Sequence, residues 1–243
     1  MNLIPQHTPL IHEISTPEGA RFLDFGWVSR SKENILILPE EADRIREAVR
    51  TAITSILPKP SERLDAFDAQ GVSEGNSVPR AVAHADGIWH NVVHIWLHDD
   101  AGSVFLQKRS QQKKLLKGFW DATVGGHVSA GQTIQEAALR ELIEEAWKDP
   151  RGTLRKIGIR KVSLVEDTPS GRETNNEFAH TYALRFDGRV EDLDVEPGEA
   201  DGFEMVTREA LEGKIRDEGD LFALPKYFTE TVDIIQSKIR GEK

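Results

Sequence analysis

Residues 125–147 read GGHVSAGQTIQEAALRELIEEAW, and the fold is decided by how this stretch is read. It reads as a glycine turn at Gly125–Gly126, a polar loop, and then a helix dense in carboxylates. Thr133 is a good N-cap and Glu136 stands at the capping-box spacing, so the helix begins at Ile134. Trp147 avoids φ > 0 and Asp149, before Pro150, avoids the α region, so the helix is expected to run to about Lys148. At about 100° per residue, Glu141, Glu144 and Glu145 fall within an arc of about 100°. Leu139, Leu142, Ile143 and Ala146 lie on another side, giving the helix one face to bury and one that shows carboxylates.

Carboxylates this close repel. Two charges about 5 Å apart cost roughly 3 kcal/mol at an effective dielectric of 20. On a solvated surface the same pairs cost only tenths of a kcal/mol, and a wet acidic face is the plain alternative. Oxygen-only clusters otherwise bind hard divalent cations, usually with substrate phosphates as further ligands. Gly125 and Gly126 allow the backbone to approach such a ligand.

The stretch resembles the Nudix box: a glycine, five residues, a glutamate, seven residues, then Arg-Glu-apolar-x-Glu-Glu-x-Gly. Here Gly126 is followed at those spacings by Gln132 and by Arg140-Glu141-Leu142-Ile143-Glu144-Glu145-Ala146-Trp147. Gln132 replaces the first glutamate and Trp147 the closing glycine, while the Arg-Glu-apolar-x-Glu-Glu core is intact. The resemblance covers roughly residues 63–240 and implies an α/β Nudix fold, a mixed sheet between helices, acting on a diphosphate. It implies that Glu141, Glu144 and Glu145 are ligands of Mg²⁺ or Mn²⁺, with the Gly126 carbonyl as a further ligand. Arg140 would orient the glutamates, and Gln132 would leave that link neutral. Gly125 and His127 would line the substrate.

The 243 residues carry a net charge of −10 and no cysteine. A sequence-independent grip on nucleic acid needs a basic surface, which this balance argues against. Without cysteine there is no disulfide framework and no thiolate chemistry. The N-terminal MNLIPQHTPLIHEIS lacks the basic start and apolar run of a signal peptide, and no apolar stretch reaches the length of a membrane span. A cytoplasmic location is the expectation.

Residues 1–60 read as an N-terminal α/β extension, a cap or homodimer element, on a domain of residues 61–243. Ile35–Leu38 is a short strand, and Ala42 to Ile56 follows a helical period closed by Pro58 and Pro60. SEGNSVPR at 73–80 reads as a loop. Residues 92–98 and 104–110 read as a hairpin about the turn Asp99–Ser103. Lys108 and Arg109 at its strand end are candidates to steer a phosphate, and Lys113, Lys114 and Lys117 follow in a basic loop. Strands near 155–166, 178–186 and 202–206 are expected, then helices from Thr207 to about Arg216 and from Tyr227 to Ile239.

GIWHNVVHIW, VFLQKRS, GFWDATVGGHVSAG and NNEFAHTY further resemble the Nudix proteins related to isopentenyl-diphosphate isomerase. There a cysteine precedes the Gly-His pair and works on the alkene; here that position is Gly125. That branch's second acid aligns with Glu177, and Asn175 stands where it has a metal-ligating carboxylate. Its metal-binding histidines align with His84, His90 and His127, a candidate second metal site, with ordinary polar histidines as the alternative. The favoured function is metal-dependent hydrolysis of a diphosphate linkage in a nucleoside diphosphate derivative or other small organic diphosphate. Glu177 or Glu141 would be the general base. A non-catalytic nucleotide sensor and the isomerase, which lacks its thiol acid here, are the alternatives.

Overall fold

The computed structural model describes residues 12–15, 21–29, 34–54, 62–113, 115–168, 171–194 and 198–241. Its centre is an antiparallel pair, β10 (Gly152–Thr168) and β11 (Gly171–Arg185). β11 runs parallel to β6 (His90–His98), which neighbours β7 (Val104–Arg109), and β7 pairs with β12 (Ala200–Val206). On the other side β10 pairs with β2 (Arg21–Ser29), followed by β1 (His12–Ser15), and also with β3 (Ile35–Ile37). Two short strands complete a mixed ten-stranded sheet: β8 (Trp120–Asp121) on β7 and β9 (Val124–His127) on β6. A separate ribbon joins β4 (Arg63–Phe67) and β5 (Ser73–Pro79), and the helix α2 (Arg80–Asp86) follows it.

Both faces of the sheet are covered, so β6 carries buried apolar residues on both sides rather than strictly alternating. Val93, Ile95 and Leu97 join one core with Leu139, Leu142 and Ile143 of α3 (Ile134–Glu145) and Ala42 of α1 (Pro39–Thr54). Trp96 joins the other core, with Leu211 of α4 (Arg208–Asp217) and Tyr227, Phe228 and Val232 of α5 (Pro225–Arg240). The fold is thus α/β, with a mixed sheet between helices.

Several local expectations change. Gly125 and Gly126 are not a turn: they lie within β9, paired with β6, and neither has a positive φ. α3 ends at Glu145 rather than near Lys148. The Trp147 ring packs on Phe186 at 4.9 Å, and Ala146 accepts from the Asp194 amide, so packing with the segment after β11 stops the helix. Residues 73–79 form β5 rather than a loop; most of its side chains are exposed, so no apolar alternation marks it. α2 was not anticipated, although Pro79 precedes it and Gly87, at φ 65°, closes it. Nor were β1 and β2. Ile56, Pro58, Pro60 and Lys114 lie outside the described residues.

Arg160 ties three of these elements together. It is buried at the middle of β10, bonds both carboxylate oxygens of Asp24 in β2, and reaches Glu230 of α5 at 2.9 Å. Its guanidinium lies 4.9 Å from the Tyr227 ring centre and 5.4 Å from that of Trp27. Asp24→Ala would leave the buried cation with a half-exposed partner. We expect a loss of about 3–5 kcal/mol, typical of breaking a buried pair. A urea-unfolding midpoint unchanged from wild type would mean that β2 does not dock on β10 in solution.

Candidate active site

α3 opens with the expected capping box: Thr133 Oγ1 accepts from the Glu136 amide at 3.2 Å, and the Glu136 carboxylate accepts from the Thr133 amide at 3.0 Å. Two turns on, Arg140 holds the loop and the helix together. Its guanidinium meets Glu141 at 2.8 Å, Glu144 at 3.0 Å and the His127 carbonyl at 2.8 Å. The Gln132 side-chain oxygen is 3.4 Å away, a weak and uncharged contact in the place of the missing glutamate.

Glu141 lies directly against the backbone of β9. A β-carbon on Gly126 would overlap the Glu141 carboxyl group, so any side chain there must displace that carboxyl from its place between Arg140 and β9. Burial pushes Glu141 up to about 7, opposed by Arg140 and reinforced by the neighbouring Glu144. Glu145 is also buried, and Glu144 is half-buried. The structure therefore brings Arg140, Glu141, Glu144 and Gly126 into one group.

The three histidines also meet. His84 comes from α2, His90 begins β6 and His127 ends β9. Their ligand atoms all lie within 4.8 Å of one another, with His84 Nε2 and His127 Nε2 3.2 Å apart. His90 donates its Nδ1–H to the Ile88 carbonyl at 2.8 Å, which leaves Nε2 as the bare nitrogen. That atom is buried without a hydrogen-bond partner. Burial lowers the pKa of His90, and burial with Arg80 holds His127 well below its usual range, so both rings are neutral. Three imidazole nitrogens this close fit a borderline cation such as Zn²⁺ or Mn²⁺, which would take the place of the proton shared by His84 and His127. Among the described residues no three carboxylates bring their oxygens together as closely, and Arg140 bonds two of the three glutamates of α3.

Glu177 sits beside His90 in the β11–β6 register. Burial, with Asp121 adding to it, pushes its carboxyl up to about 7. Its carboxyl makes no hydrogen bond or ion pair with another described residue. Asp121 pairs instead with Arg109 at 3.0 Å. Lys108 and Arg109 are consecutive on β7 and leave opposite faces. Lys108 lies 4.3 Å over the Trp120 ring, near Lys214 and Glu218, and is not brought to the box residues. The Asn175 side-chain oxygen is buried without a partner. Sequence reasoning passed over Asp121 and His94; both lay inside the quoted stretches, but nothing in strand spacing marks which side chains face each other across the sheet.

A NUDIX domain model matches residues 89–224. The chain belongs to the Nudix family. Nudix hydrolase 3 of Arabidopsis thaliana is 37% identical over 125 residues, 51% of this chain and 16% of that protein. An uncharacterized Nudix hydrolase of Clostridium acetobutylicum is 29% identical over 154 residues, 62% of this chain and 72% of that one. An isopentenyl-diphosphate Δ-isomerase of Mycolicibacterium vanbaalenii is 34% identical over 79 residues, 32% of this chain and 44% of that protein. The matches to the Arabidopsis and Mycolicibacterium proteins thus span less than half of each of those chains. The Nudix match contains the whole box and two of the three histidines, with His84 before it.

The two glycines of β9 make a controlled comparison. Gly126→Ala must displace the Glu141 carboxyl and should cost about 1–3 kcal/mol. A β-carbon on Gly125 meets His94 at an ordinary 3.5 Å, so Gly125→Ala should cost far less. Equal thermal shifts for the two variants would disprove the crowding at Gly126.

Proposed function

We propose that this protein hydrolyses a diphosphate linkage in a nucleoside diphosphate derivative or other small organic diphosphate, with Mg²⁺ or Mn²⁺ as its cofactor. The observation that carries the reading is Arg140 gripping Glu141 and Glu144 while Glu141 packs on Gly126. Glu141, Glu144, Glu145 and the Gly126 carbonyl would hold the ion, an oxygen set suited to hard cations. When bound, such an ion lowers the charge of the phosphates and the pKa of coordinated water. The histidine trio would form a second, softer metal site.

The chain's own residues supply the rest. Arg140 fixes the carboxylates by charged hydrogen bonds, so they need not reorganise when a substrate arrives. Water attacks phosphorus, the bridging P–O bond breaks, and the water proton must be taken up. Glu141 and Glu177 are both raised to about 7, near the pKa that suits a general base. Glu141 is held by Arg140, whereas Glu177 has no partner among the described residues, and we assign the proton to the Glu177 carboxylate. Isomerisation is the weaker reading: it needs an acid and a base on opposite faces of an alkene, and Gly125 offers neither. The same reading places the enzyme in the cytoplasm, with residues 1–60 as a cap or homodimer element on residues 61–243.

A panel of diphosphates incubated with Mg²⁺ and with Mn²⁺ should show metal-dependent release of phosphate products, and isopentenyl diphosphate should give no dimethylallyl diphosphate by NMR. Allylic product with no diphosphate cleaved would reverse the assignment.

Glu144→Gln combined with Glu145→Gln should abolish most Mn²⁺ binding at the box by calorimetry while circular dichroism stays native. Glu177→Gln should instead keep metal binding and lower kcat by about 10²–10⁴. Undiminished affinity in the first variant, or undiminished kcat in the second, would remove that residue's role.

A further inference from the structure

The face of β9 away from Glu141 holds a second polar arrangement. Gly125 is directed at the His94 ring: a β-carbon there would lie 3.5 Å from Cδ2 and 3.8 Å from Nε2. The other ring nitrogen, Nδ1, is 3.0 Å from the Tyr227 hydroxyl. That hydroxyl also accepts the Trp96 indole N–H at 3.3 Å and lies 3.2 Å from Thr181 Oγ1. Tyr227, Trp96 and Thr181 are buried, while His94 is only partly so. The ring is thus anchored at Nδ1, and its Nε2 edge lies toward Gly125.

The anchoring network sets where the imidazole proton resides. Trp96 can only donate. Thr181 has the phenol oxygen at 3.2 Å and its alternative acceptor, the Ala179 carbonyl, at a longer 3.4 Å. With Thr181 donating along the shorter contact, two donors point at the phenol oxygen, and its single proton is assigned to His94 Nδ1. Burial keeps the ring neutral, so its one N–H is at Nε2, the nitrogen facing Gly125. Asp121 and Arg109, paired at 3.0 Å, act electrostatically on both His94 and Glu177.

We propose that His94 is a substrate-binding residue whose Nε2–H donates to an oxygen of the bound diphosphate ester, and that Tyr227 is the positioning residue that fixes this tautomer. The inference rests on the diphosphate reading above. Because Gly125 has no side chain, nothing from that residue of β9 covers the Nε2 edge of the ring. A neutral donor meets a phosphate or hydroxyl oxygen without placing a fixed charge beside the Arg109–Asp121 pair.

Two measurements test it. Nitrogen-15 NMR of the histidine rings in the wild-type protein should show His94 with Nε2 protonated and Nδ1 bare at neutral pH, and Tyr227→Phe should shift that balance toward Nδ1–H. A wild-type ring protonated at Nδ1 overturns the proposal. With the diphosphate that the wild type cleaves best, His94→Ala should raise KM about tenfold and change kcat by less than about threefold. His94→Gln, which keeps an N–H near the same place, should recover part of the loss. Unchanged KM in folded His94→Ala overturns the inference alone, whereas a wild type that cleaves no diphosphate takes the functional reading down with it.

Discussion

The site depends on one cation. Glu141, Glu144 and Glu145 are crowded on a single turn of α3, and Glu141 is buried, so they would repel one another without Arg140. Its planar fork reaches two carboxylates and the His127 carbonyl at once, a geometry that an ammonium could not match. The same contacts join α3 to β9, so the electrostatics of the site and the docking of the helix are one interaction. Glu141 still sits near 7, which shows that burial outweighs the neighbouring charge.

β9 is the thin wall between two environments. Successive strand residues face opposite sides, so Gly126 looks toward Glu141 and Gly125 toward His94. Removing both side chains lets polar groups approach the same strand from both faces. At its end His127 meets His84 and His90, drawn from a helix and another strand, and burial keeps His127 and His90 neutral. The site thus combines a charged region organised by Arg140 with an uncharged imidazole region, and these suit different cations.

The N-terminal strands bear on this site through Arg160. Asp24 from β2 and Glu230 from α5 neutralise it, and its guanidinium lies against Tyr227, whose hydroxyl holds His94. A buried cation of this kind is weak evidence for net stability. What it does supply is a geometric link between the first strands and the ring facing Gly125.

The sequence by itself determined the α/β class, the capped acidic helix and the Arg-Glu-apolar-x-Glu-Glu core, because helix period, capping chemistry and charge spacing are local properties. Thr133 and Glu136 met as their spacing required, and Arg140 sits one turn from Glu144 for the same reason. The end of α3, the strand character of Gly125–Gly126 and the pairing of β5 were not legible, since each is set by a partner distant in the chain. Trp147 stops the helix because Phe186 receives its ring, and Gly126 must be small because Glu141 arrives from another element. Likewise the histidines were grouped by the family resemblance as a candidate metal site, but nothing in their own spacing brings them together. Only the tertiary structure decided that His84, His90 and His127 share one point and that Tyr227, 133 residues from His94, holds its ring, because side-chain convergence across a sheet leaves no periodic trace in sequence.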